Sequence, residues 1–91
     1  MHSKETFHCR VCGLEHQDEP WGLDGKSPTF DICICCGVEF GYQDTTPESA
    51  ARFRARWLDD GANWRDPKKK PDDWDMVAQL AQIPSKFAPD S

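Results

Sequence analysis

Two copies of one short pattern constrain this chain more than anything else in it. Cys9-Arg10-Val11-Cys12-Gly13 and Cys33-Ile34-Cys35-Cys36-Gly37 both read C-x-x-C-G. Two residues between thiols let the backbone curl into a tight knuckle with both sulfurs facing one ion. A glycine after the second cysteine accepts a left-handed conformation without a Cβ clash. Amides in such a turn can point at the thiolates and offset their charge. Twenty residues separate Cys12 from Cys33, the upper end of the spacing that marks a four-cysteine zinc site. The expected ligands are therefore Cys9, Cys12, Cys33 and Cys36, holding one zinc ion per chain. Four thiolates in a tetrahedron form a closed, structural site with no open position.

The same ligand set would suit a rubredoxin-like iron centre, since donor type alone does not separate the two metals. Buried free cysteines or disulfides are the other reading. Five cysteines are an odd number for a closed disulfide set. Cys35 falls between two ligands and should point away from the ion. It is either a small apolar side chain or a reactive thiol open to oxidation.

Length supports the need for a metal. The chain has 91 residues, of which 37% are hydrophobic and 30% charged. A single domain of that size buries little surface and often needs a staple. One domain is expected over residues 1–91: a zinc ribbon of short antiparallel strands over 1–45, a helical part over 46–83, and a frayed tail over 84–91. The fold class expected is α+β, the ribbon being followed by two packed helices. Thr6-Phe7-His8 and Thr29-Phe30-Asp31-Ile32 are the β-prone pieces, each leading into a knuckle.

The first helix is expected over 46–60. Pro47 suits its first position with Thr46 as N-cap, or Thr45 and Glu48 form a capping box. Ala50, Phe53, Trp57 and Leu58 share one face, and Gly61 is placed to end the helix in αL. A second helix is expected from about Asp72 to Gln82, with Trp74, Val77, Leu80 and Ala81 as its apolar stripe. Pro84 forbids its continuation.

The segment Ile32-Cys33-Ile34-Cys35-Cys36-Gly37-Val38-Glu39-Phe40-Gly41 resembles the bacterial cysteine-rich CPCC family of small zinc-ribbon-like proteins. An Arg-x-x-Trp near the end of the following helix and a Trp soon after are matched by Arg54 to Trp57 and by Trp64. The similarity covers roughly residues 7–65. Arg10 and Ile34 stand where that family often has Pro. The resemblance implies metal binding; it does not imply a reaction.

Charge narrows the function. Formal net charge is −5, and all of it falls in residues 1–46, which carry three Lys/Arg against eight Asp/Glu. An acidic half suits a basic protein partner through complementary steering. Trp21, Trp64 and Trp74 are candidate anchors, since Trp is favoured at binding hot spots, or they simply form the core. The competing reading is nucleic-acid binding through the basic stretch 52–70, where Arg52, Arg54, Arg56, Arg65 and Lys68 to Lys70 cluster near Trp64. Overall acidity weighs against it. Redox work by an iron site or by Cys35 is a third reading.

His2, His8 and His16 complete the inventory. His8 could replace a ligand with a poorer spacing, and His16 reads as a solvated edge residue. No phosphate loop, zincin helix or nucleophile elbow is present, so the chain is not expected to be an enzyme. It shows no signal-like apolar run and no membrane span. A cytoplasmic protein is expected, with no membrane partner, where thiols stay reduced.

Overall fold

The computed structural model describes residues 7–88. Two α-helices form, α1 over Pro47–Asp59 and α2 over Met76–Leu80, with single 3-10 turns at Pro67–Lys69 and Ser85–Phe87. The rest is turn and loop, folded around the cysteines.

Helix α1 begins as the local chemistry dictates. The Thr46 hydroxyl accepts from the Ser49 amide at 3.1 Å, and the Ser49 hydroxyl accepts from the Thr46 amide at 3.2 Å. This is a capping box with Ser in the place usually taken by Glu or Gln, so Glu48 is not part of it. Gly61 then turns the chain at φ +106°, and Ala62 follows at φ +53°. The buried face of α1 is Ala50, Arg54 and Trp57, with Phe53 half-buried against the core. Arg54 occupies the position that the apolar pattern assigned to Leu58, which is exposed.

The expected antiparallel strands are absent among the described residues. In their place stand two isolated antiparallel bridges, His8 with Glu15 and Ile32 with Glu39. The α+β class and the zinc ribbon are therefore incorrect for this chain. Each knuckle closes a hairpin whose arms pair at one residue only, and the arms then part. At Phe30 the backbone takes φ +63°, which breaks the extended run that Thr29 to Ile32 would need. Thr29 bonds instead to the Pro20 carbonyl at 2.9 Å. Thr6 lies outside the described residues.

Helix α2 is shorter than its pattern. Trp74 closes a turn on the Pro71 carbonyl, and Asp75 caps the helix by accepting from the Ala78 amide at 3.2 Å. The acidic residues 72–75 thus precede the helix rather than fill its first turn. Its buried residue is Gln79, whereas Val77 is 72% exposed. The tail is not frayed through Phe87: Ser85–Phe87 forms its turn beside α1, and the Phe87 ring is buried. Residues 89–91 lie outside the described part.

The core gathers all five cysteines with Val11, Val38, Phe40, Ala50, Ala62, Trp57, Trp64, Ile83 and Phe87. The sulfur cluster is thus the centre around which a small number of aromatic rings pack.

Candidate metal centre

The two knuckles share the same set of backbone hydrogen bonds. Cys9 and Cys33 donate their amides to the carbonyls of Leu14 and Val38, both at 2.9 Å. Gly13 and Gly37 donate to Cys9 and Cys33, both at 3.0 Å, and both glycines sit at φ +84°. His16 donates to Phe7 and Phe40 to Asp31, at 2.8 and 3.0 Å. The chain therefore repeats one ten-residue unit over 7–16 and 31–40. The equivalent rings His16 and Phe40 meet edge to face at 5.1 Å.

This repetition brings four sulfurs together. Those of Cys9, Cys12, Cys33 and Cys36 all lie within 4.8 Å of one another. Cys9 faces Cys36 and Cys12 faces Cys33, each at 3.7 Å. A zinc–sulfur bond of about 2.3 Å gives a tetrahedron with edges of about 3.8 Å, which these two pairs match. The separation is far from the roughly 2.05 Å of a disulfide, and all five cysteines are free. Cys9, Cys12 and Cys33 have no exposed surface, and Cys36 is 8% exposed.

The surroundings fit a metal-bound set of thiolates. The Val11 amide donates to Cys9 Sγ at 3.4 Å. Burial pushes the Cys12 and Cys36 thiols well above their ordinary range. Cys33 is held well below it by hydrogen bonds, that from Cys12 being the largest effect. Four buried thiolates without an ion would repel one another, so the cluster can ionise fully only around a cation.

The C-terminal half clamps both knuckles. Arg54 is 4% exposed. Its Nε donates to the Val11 carbonyl at 2.6 Å, and its Nη2 donates to the carbonyls of Arg10 and Phe87, both at 2.9 Å. Burial lowers its pKa, while Cys9, Cys12 and Cys36 pull it back up. Gln79 donates through Nε2 to the Cys12 carbonyl at 3.1 Å and to Cys35 Sγ at 3.4 Å. The Gln79 Oε1 accepts from Trp74 Nε1 at 2.8 Å. Arg65 and Asp66 donate their amides to the carbonyls of Cys35 and Ile34, at 3.0 and 2.9 Å.

The other residues singled out in the sequence fall as follows. Cys35 is not one of the four clustered sulfurs; it has no exposed surface, and a hydrogen bond with Cys12 lowers its pKa against the effect of burial. Trp21 is half-buried: its indole N–H donates to Asp44 Oδ2 at 2.8 Å, and the Arg10 guanidinium lies 3.9 Å above its ring. Trp64 is buried, edge to face with Trp74 at 5.7 Å. Trp21 and Trp64 are thus built into the molecule rather than displayed on it. Arg52, Arg56 and Arg65 are exposed, whereas Arg54 has left the basic stretch for the core. His8 lines a cavity beside the first knuckle, and His2 lies outside the described residues.

Gln79 and Asp44 escaped the sequence reading, and Arg54 is read there as part of the basic stretch rather than of the core. Asp44 is fully buried, with its carboxylate held by Trp21 and by the Gly41 amide at 2.8 Å. Only Arg54 left a signal, since it falls four residues after Ala50 and three before Trp57 on one helical face.

Two proteins of Bacillus subtilis (strain 168) are similar to this chain. The uncharacterized protein YozI is 28% identical over 85 residues, covering 76% of this chain and 70% of its own length. The uncharacterized protein YoaQ is 28% identical over 85 residues, covering 77% of this chain and 72% of its own. No family model matches the chain. No solved structure matches it. Among the described residues no helix is long and apolar enough to cross a membrane. The protein is thus a small cysteine-rich globule with a four-cysteine cluster able to bind a metal ion.

Proposed function

We propose that Cys9, Cys12, Cys33 and Cys36 hold one structural zinc ion, and that the protein is a cytoplasmic protein-binding module of a bacterium. The observation that carries this reading is the buried tetrahedron of sulfurs, closed on all four sides by the chain's own ligands and offering no position to a substrate. The CPCC-like segment 32–41 supplies half of that tetrahedron and agrees with a structural role. Zinc is preferred over iron because four buried cysteines are the common ligand set of a structural zinc site. A colourless protein with one zinc per chain is the expected result of metal analysis, and a coloured iron form would replace zinc in this account.

With Trp21 half-buried and Trp64 buried, the exposed apolar side chains elsewhere support a different partner surface. Large apolar side chains stand in solvent beside the second knuckle: Tyr42 is 70% exposed, Phe30 60% and Ile32 43%. The Phe30 ring lies close over Gly41, the residue before Tyr42. Phe30 also holds a positive φ, a strain of the kind that binding surfaces retain. The test is affinity capture from native cells with the natural protein and with a Phe30→Ala/Tyr42→Ala variant. One stoichiometric, nuclease-insensitive partner, lost with the variant, supports the module. Recovery of nucleic-acid-associated proteins that nuclease removes would move the exposed cations Arg52, Arg56, Arg65 and Lys68 to Lys70 to the centre instead.

A further inference from the structure

We infer that the cavity between Trp21 and Phe87 is a binding site for a compact oxyanion, a carboxylate or phosphate group. The cavity has a volume of about 130 Å³, and its lining includes His8, Arg10, Trp21, Lys86 and Phe87, with no acidic side chain. In a chain of net charge −5, three basic side chains without an acid among them stand against the overall field.

Arg10 is the most constrained cation of the cavity. Its guanidinium is held between two rings, 3.9 Å from the Trp21 centroid and 4.3 Å from that of Phe87. Nη1 donates to the Asp44 carbonyl at 3.1 Å and Nη2 to the Gly25 carbonyl at 3.2 Å. Both acceptors are neutral. The Asp44 carboxylate bonds to Trp21 Nε1 and the Gly41 amide rather than to the guanidinium; burial lowers the Arg10 pKa, and the charges of Asp44 and Cys9 pull it back up only in part. A guanidinium has five N–H donors, so three remain beyond the two bonded. A half-buried cation fixed by two rings has already lost its rotamer freedom, which removes much of the ordering cost of binding an anion. Lys86 brings a second mobile cation to the rim, from the turn Ser85–Phe87. Arg54 ties the two walls together through the carbonyls of Arg10 and Phe87, so the site exists only when the C-terminal turn is docked.

The inference stands apart from the protein-binding reading, since Phe30 and Tyr42 take no part in this cavity. The test is a pair of titrations of the zinc-loaded full chain, one with sodium phosphate and one with sodium acetate, at constant ionic strength. The readout is the amide and indole N–H resonances in two-dimensional NMR. Saturable shifts at the Trp21 indole and at Gly22 and Gly25, with a Kd of about 1 mM or tighter, are expected. Phosphate and acetate are compared to tell the two oxyanion sources apart. Lys86→Glu, at an exposed position, should weaken that binding about tenfold, while Lys69→Glu elsewhere on the surface should leave it unchanged. Linear shifts without saturation for both anions, or binding indifferent to Lys86→Glu, would overturn the inference.

Discussion

Arg54 Nε donates to the carbonyl oxygen of Val11 at 2.6 Å, across 43 residues of sequence. Val11 lies between Cys9 and Cys12, so this bond fastens α1 to the first knuckle. The same guanidinium is the closest thing the centre has to an internal counter-charge. Four thiolates around a divalent ion would carry a net charge of −2, and Arg54 would offset half of it from inside the core.

Removing that side chain leaves three carbonyls without their donor and the thiolates without their cation. Breaking one partner of a buried charged set costs about 3–5 kcal/mol. Arg54→Ala should lose stability on that scale in urea denaturation of the metal-loaded protein. Arg54→Lys should recover only part of it, since an ammonium cannot reproduce the planar fork.

The two knuckle glycines give a sharper contrast. Both sit at φ +84°, so replacing either with Ala carries the left-handed penalty of roughly 1–2 kcal/mol. At Gly37 a Cβ would meet only Arg65 Cδ at 3.9 Å, but at Gly13 it would fall 2.1 Å from the Gln79 carbonyl oxygen. Gly13→Ala must therefore push α2 off the knuckle as well. Thermal melts should show Gly13→Ala clearly the less stable of the two, and equal melting would contradict the docking of α2.

Cysteine replacement separates ligands from bystander. Serine at Cys9, Cys12, Cys33 or Cys36 should abolish stoichiometric metal binding. Cys35→Ala should retain one metal per chain, because Cys35 is not one of the four clustered sulfurs, and should lose only the contacts of its thiol with Gln79 and Cys12. Elemental analysis of the purified variants decides both.

Metal affinity should fall as pH falls, because protons compete for the thiolates. Burial raises the Cys12 and Cys36 thiols in the metal-free protein, so binding must expel protons from them even at and above the ordinary thiol range. Chelator competition across pH should therefore show affinity still rising with pH beyond neutrality. A plateau already reached at mildly acidic pH would argue against these ligands.

The sequence made the centre legible and the frame around it much less so. The clustering of Cys9, Cys12, Cys33 and Cys36 followed from the C-x-x-C-G repeat because that pattern is a local chemical requirement. Helix α1 followed from Pro47, its cap and its periodic face. The strands failed because β-prone residues do not make a ladder when each hairpin is already consumed by its knuckle. Helix α2 was overextended because Asp75, rather than Asp72, wins the cap. Its burial was misassigned because Gln79 is inside for its amide, which answers the carbonyl of Cys12. Arg54 carries the same lesson: periodicity places it on the inner face, and a charge there looks like an error until the thiolates are in view.

The measurement that bears most directly on this account is complete removal of the metal by a chelator, followed by circular dichroism and thermal melting. Structural zinc is worth on the order of 10–16 kcal/mol of apparent binding near neutral pH, about as much as the 5–15 kcal/mol of a typical native protein or more. The account predicts loss of the helical signal and of the cooperative melt, both restored by one equivalent of zinc. An unchanged spectrum and melting curve in the metal-free chain would contradict it.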